Sequence, residues 1–234
     1  MTNTAANASP IAENLAAIRE RIAAAVRRAG RRMEQVTLIA VSKNHPATAI
    51  QQAAACGALD IGENRVQEAL AKIPHTPPTL RWHLIGHLQS NKAKPAVENF
   101  HLIHTVDSIP LAQRIDRLAR EAGKEQLALL QVKLGDEAAK SGLAPADLPT
   151  IYAAVRELPN LRVRGLMTIP PLGPSPEDAR PHFRQLRALR NQLLDRFPDD
   201  SLPELSMGMS HDFEVAIEEG ATLIRVGTAI FGAR

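Results

Sequence analysis

Apolar residues along the chain follow two alternating patterns. Short, nearly unbroken apolar runs occur at VTLIAV (36–41), ALDIG (58–62), LRWHLIG (80–86), HLIHTV (101–106), QLALLQVKL (126–134), LRVRGLM (161–167), PELSM (203–207) and TLIRVG (222–227). Runs of that length read as strands buried on both faces. Between them lie segments with helical spacing at 47–56, 64–73, 89–98, 108–122, 145–157, 177–196 and 211–219. The closing GTAIFGAR supplies an eighth helical turn, so the pattern predicts eight strand–helix units. Alternation on this scale predicts a single α/β domain, a closed (β/α)8 (TIM) barrel. An open doubly wound sheet is the alternative, but no GxGxxG follows the first strand. Ahead of the first strand, IAENLAAIRERIAAAVRRAG predicts an added helix, with Ser9 as N-cap, Pro10 at its first position and Gly30 at its end. Residues 1–9 read as a flexible tail and 10–234 as the barrel, with no room for a further domain after the eighth strand.

Composition narrows the function classes. The 234 residues are 44% hydrophobic and 23% charged, with a net charge of +3 and only 3% aromatics. No basic run is interleaved with aromatics, so a nucleic-acid surface is not expected. No apolar run reaches the ~18 residues of a membrane span, and the polar N-terminus lacks the pattern of a signal peptide. The one cysteine, Cys56, reads as a small buried residue of a reducing compartment. A cytoplasmic protein is expected. No exposed apolar helix face stands out, so a monomer is expected too.

In such a barrel the functional residues stand at the C-terminal ends of the strands. Lys43 follows strand 1. The chain has seven lysines against 21 arginines, so a lysine at the end of a buried strand is unusual. Side-chain alternation would put Lys43 on the same face as Val41, Ile39 and Thr37. A partly desolvated amine loses its charge more easily, and the neutral amine attacks an aldehyde to form a Schiff base. A lysine snorkelling from a loop is the plainer reading. Ser210 precedes the stretch HDFEVAIEEG, and Gly227-Thr228 opens the turn after strand 8. Two helix starts with two hydroxyls make a dianion pocket, although Ser210 also reads as a simple N-cap, and Asp212 would have to point away from a phosphate. Arg225, inside strand 8, needs an acceptor. A pyridine nitrogen is one; a barrel carboxylate is another. The pairs His83/His87 and His101/His104 straddle strand and loop, which argues against a metal site.

Taken together, AVSKNHP, IGENRVQE, WHLIGHLQSNK, KSG, GLMTIPP, LSMGMSHDFEVAIEEG and IRVGTAIFG resemble the YggS/PROSC family of pyridoxal 5′-phosphate (PLP)-binding proteins, the PLP homeostasis family, over about 36–234. The resemblance implies a fold-type III PLP barrel, like the N-terminal domain of alanine racemase but without its C-terminal β-domain. By the same resemblance Lys43 is the Schiff-base lysine and Arg225 faces the pyridine nitrogen. Ser210, Gly227 and Thr228 would hold the phosphate, and Asn64, His83 and Met167 would lie near the ring. Lys140 belongs to the KSG motif, with a surface lysine as its default reading. Two positions depart from the family pattern: Lys133, where Asn is commoner, and His87, where many relatives have Pro.

Three functions fit a barrel with these residues. One is a non-catalytic carrier that takes part in intracellular vitamin B6 homeostasis, with apo PLP-dependent enzymes as prospective recipients. Another is a weak amino-acid racemase. Racemases of this barrel type need two opposed bases, and the related enzyme takes a tyrosine from its extra domain; here the only tyrosine is Tyr152, in an outer helix. An aldolase-like barrel, with a Schiff base to a sugar phosphate and no cofactor, also fits the phosphate pattern. The family motifs and the missing second base favour the carrier.

Overall fold

In the computed structural model, which describes residues 9–135 and 141–232, a strand overlaps each of the eight apolar runs, with β2 and β7 extending one and two residues past theirs. They are β1 (Thr37–Val41), β2 (Asp60–Glu63), β3 (Arg81–Leu84), β4 (Leu102–Val106), β5 (Gln126–Gln131), β6 (Leu161–Met167), β7 (Glu204–Met209) and β8 (Leu223–Val226). All pair in parallel with their sequence neighbours, and β8 returns to β1, closing the barrel. The expected tail falls, apart from Ser9, outside the described residues.

The helices are α1 (Pro10–Arg28), α2 (Ala47–Ala55), α3 (Val66–Lys72), α4 (Ala93–Asn99), α5 (Ile109–Glu121), α6 (Leu148–Val155), α7 (Arg180–Arg196), α8 (Phe213–Glu218) and α9 (Thr228–Phe231). Ser9 caps α1 as its sequence predicts, its Oγ accepting from Ala12 N at 3.3 Å. Three helices start three or four residues later than their periodicity suggests, and each has a proline near its start. Pro95, Pro149 and Pro181 lack an N–H and are tolerated only in a first turn, so α4, α6 and α7 begin just before them. A 3-10 turn precedes α4 and another precedes α7.

α1 lies over the last two helices. Arg21 and Arg28 pair with Glu214 and Glu218 of α8 at 2.8 Å each, and Asn14 Nδ2 donates to Ile230 O of α9 at 2.9 Å. These surface pairs are individually weak. Together with buried Leu15, Ile18 and Ile22 they fix the elements that carry one wall of the site described below.

The barrel interior has an apolar layer of Ile39, Leu102, Leu129, Met167 and Leu223. Beside it runs a column of buried polar side chains: Asp60, His83, His104, Ser206 and Arg225. Burial drives the His104 pKa well below its usual 6.5, with the nearby His83 and Arg225 acting in the same direction. A folded-state histidine pKa below the unfolded value means that the unfolded chain binds more protons at acid pH. Stability from this residue is therefore present above about pH 6.5 and is lost as pH falls below it, by up to about 1.4 kcal/mol per pH unit. His101, lowered chiefly by burial, adds a contribution of the same sign. Urea denaturation of the wild type and His104→Gln at pH 7.5, 6.5 and 5.5 checks this. The variant should be less stable at pH 7.5 but show a flatter decline on acidification.

Candidate functional site

A cavity of about 390 Å³ opens at the C-terminal end of the barrel, lined by Val41, Lys43, His45, Asn64, Ile85, Ile169, Met209, Ser210, His211, Arg225, Gly227, Thr228 and Gly232. The strand pleat places Lys43 there: Ile39 lies in the inner core, Val41 on the cavity wall and Lys43 above it. Among the described residues no hydrogen bond or ion pair engages the Lys43 amine.

The loop carrying Lys43 is held from behind. Ser42 Oγ donates to Glu63 Oε1 at 2.6 Å, and Lys72 Nζ donates to Ser42 O at 2.9 Å. The same Nζ bonds Glu63 Oε1 and Glu68 Oε1, both at 2.7 Å. Glu68 Oε1 also accepts from Asn44 N at 2.5 Å, fixing a residue with φ of +64°, a conformation that asparagine tolerates better than most. Burial pushes the fully buried Glu63 carboxyl up from its usual pKa, against the bonds from Lys72 and Ser42. Asn64 is fixed by close packing: a Cβ on Gly86 would collide with the Asn64 carbonyl, so only glycine allows that approach.

Arg225 lies on β8, the strand next to β1, in register with Ile39. Its guanidinium is buried, with Nη1 donating to Ser206 Oγ at 2.6 Å and Nη2 to Thr168 O at 3.0 Å. No carboxylate pairs with it among the described residues. Burial lowers its pKa to about 10, with Asp212 opposing from a distance, so it keeps its charge near neutrality.

The turns after β7 and β8 meet at this wall. Gly208, at φ +90°, sits where the β7–β8 register slips between Ser206 and Met209. The next residues then leave the strand, and Ser210 Oγ accepts from Gly227 N at 3.3 Å. Ser210 is not the N-cap expected from the sequence, because α8 starts after Asp212. The Asp212 carboxylate turns back to accept from Met209 N at 2.6 Å and does not line the cavity. In α9 the Ile230 and Phe231 N–H groups donate to Gly227 O, which leaves those of Thr228 and Ala229 outside the intrahelical ladder.

Six of the eight residues expected at the site therefore surround one cavity: Lys43, Asn64, Ser210, Arg225, Gly227 and Thr228. His83 and Met167 do not. His83 is 3% exposed and Met167 fully buried, both deeper in the barrel. Ile85 and Ile169, two residues further along the same faces, reach the cavity instead. Lys133 lines an adjoining cavity of about 230 Å³ with Gln131, His87 and Ser141, sharing Asn64, Ile85 and Ile169 with the first. Lys140 lies outside the described residues. His45, whose ring stacks on Phe231 at 5.1 Å, and His211 are cavity residues that strand-end reasoning missed. The described residues hold no cluster fit for a metal ion. Tyr152 is remote, its hydroxyl donating to Asp200 Oδ2 at 2.7 Å.

Residues 14–234 match the family model for the alanine racemase N-terminal domain. The chain is 50% identical over 228 residues to the pyridoxal phosphate homeostasis protein of Pseudomonas aeruginosa, covering 97% of this chain and 96% of that one. It is 44% identical over 230 residues to the protein of the same name from Escherichia coli, covering 96% and 97%. Among solved structures, PipY of Synechococcus elongatus with PLP bound is 47% identical with a TM-score of 0.85, over 95% of this chain and 100% of that one. An alanine racemase from Clostridium difficile shares the fold at 14% identity and a TM-score of 0.72, with 95% of this chain covering 60% of the racemase.

The buried amine–carboxylate knot behind Lys43 gives a stability prediction. Lys72→Met keeps the side-chain length but leaves Glu63 buried without its cation, which should cost about 3–5 kcal/mol. Urea unfolding at pH 7 measures it, and adding Glu63→Gln should recover part of the loss.

Proposed function

The chain belongs to the family of pyridoxal phosphate homeostasis proteins, on the alanine racemase N-terminal-domain fold, and on that basis we propose that it binds PLP at Lys43 and carries the cofactor rather than catalysing with it. The observation that carries this reading is the composition of the cavity wall. A lysine amine without a partner among the described residues, a buried guanidinium without a carboxylate, and a turn with unsatisfied N–H groups face one space. Its volume lies within the ~300–1,000 Å³ usual for small-molecule sites. The donor set fits PLP at each end. Lys43 matches an aldehyde and Arg225 a pyridine nitrogen, while Ser210, Gly227 and Thr228 match a phosphate dianion. PipY, 47% identical and with PLP bound, supports PLP as the ligand.

Bound PLP supplies an aldehyde carbon that an amine can capture and a ring that can withdraw electrons. Arg225 keeps its own proton, so the residue facing the ring nitrogen donates a hydrogen bond without protonating it. That weakens electron withdrawal and favours holding the cofactor over carbanion chemistry. The remote Tyr152, tied to Asp200, supports the same preference, since it is not placed as a second base. Delivery to apo PLP-dependent enzymes is the role we assign to the carrier. A monomer fits the few large apolar side chains exposed among the described residues, Met33, Leu59 and Leu172. The lone free cysteine, Cys56, fits a cytoplasmic setting, and no helix of the described residues is long and apolar enough to cross a membrane.

Visible absorption after PLP addition tests the assignment. The wild type should develop a band that Lys43→Ala loses. A band of full intensity in the variant would transfer the attachment to another lysine, Lys133 or Lys140. Amino-acid racemization by the loaded wild type should stay far below ordinary enzyme rates, and turnover above ~1 per second would overturn the carrier reading.

A further inference from the structure

The polar column in the barrel interior is continuous. From the lower mouth upward, Arg81 grips Asp60, and Asp60 Oδ1 meets His83 Nε2 at 2.9 Å. His83 Nδ1 meets His104 Nε2 at 3.0 Å, and His104 Nδ1 meets Ser206 Oγ at 2.9 Å. Ser206 Oγ accepts from Arg225 Nη1 at 2.6 Å. These five contacts form one unbroken chain from the N-terminal end of the barrel to the cavity.

The donors in this column can be ordered. The Asp60 carboxylate only accepts, so His83 Nε2 carries a proton. Asp60 itself is held ionised: burial raises its pKa, but the bonds from His83 and Arg81 outweigh that and bring it down to about 2. Ser206 Oγ accepts from Arg225, and its own proton needs an acceptor. His104 Nδ1 supplies one when His104 is protonated at Nε2, and that Nε2–H then donates to His83 Nδ1. Every donor in this arrangement points from Arg225 toward Asp60, and every group is satisfied. The opposite order requires one more proton. His83 would then carry both N–H groups, the His104 proton would sit on Nδ1 facing Ser206, and the Ser206 hydroxyl would lose its acceptor.

We infer that Asp60, His83, His104 and Ser206 are positioning residues for Arg225, a one-directional column that sets the guanidinium against the cavity from the far end of the barrel. The inference rests on the reading of Arg225 as the group facing the PLP ring nitrogen. The charged and titratable groups around the column are Arg81 and His101 at its lower end, with the His101 ring 5.9 Å from that of His83, and Arg225 and the more distant Asp212 above. The lower end borders a cavity of about 340 Å³ that also holds Arg164 and Glu204.

Asp60→Asn tests it. Arg81 Nη2 keeps the amide oxygen in place of Oδ2, so the new NH₂ takes the place of Oδ1, gives up the bond from Arg81 Nε, faces His83 Nε2 and allows the reversed order without an added proton. Nitrogen-15 NMR of the PLP-free wild type at pH 7 should show His83 and His104 both protonated at Nε2, and the variant should show both at Nδ1. After PLP addition the variant should retain a visible band, but with a shifted maximum and roughly 2- to 10-fold weaker affinity, the worth of about one hydrogen bond. Ser206→Ala, a smaller change, should shift the band and affinity in the same way while leaving the His83 tautomer as in the wild type. Either histidine protonated at Nδ1 in the wild type overturns the column. So does an unchanged band and affinity in both variants. Failure of the wild type to take up PLP would instead sink the cofactor reading and leave the tautomer result standing.

Discussion

A guanidinium buried in a barrel has to be solvated by the protein. Arg225 has no carboxylate beside it among the described residues, so neutral acceptors do this work: Ser206 Oγ and Thr168 O. That choice shapes the interior. Ser206 must pass its own proton on, which calls for His104, and His104 calls for His83 and Asp60. A carboxylate directly on Arg225 would have been simpler, but it would have neutralised the cation facing the cavity and taken the donors a ligand would use.

The same economy appears on the neighbouring strand. Lys43 is left without a partner among the described residues, while a second lysine, Lys72, is fully engaged just behind it. One amine is kept available because the other immobilises the loop. α1 does the comparable task for the turns after β7 and β8, by holding α8 and α9 from outside.

The barrel was legible in the sequence because buried parallel strands are short apolar runs, and α1 because its cap, proline and terminal glycine agree. Helix starts were less so, since Pro95, Pro149 and Pro181 displace them in ways that periodicity does not register. Of the site, Lys43 could be placed by the pleat, whereas His83 and Met167 came from the resemblance, and Ile85 and Ile169, two residues further on, line the cavity instead. What the sequence hid is the support. Lys72 lies 30 residues from Ser42, and His104 lies 102 from Ser206, and nothing local marks either pair.

The Arg81–Asp60 pair has a consequence for how this barrel tolerates change. In a (β/α)8 barrel one rim customarily bears the chemistry and the other the stability, so the two can vary separately. Here a half-exposed arginine on the quiet rim is joined, contact by contact, to the cation on the working rim. Substitutions there are not neutral by position, and the two rims are bound to drift together.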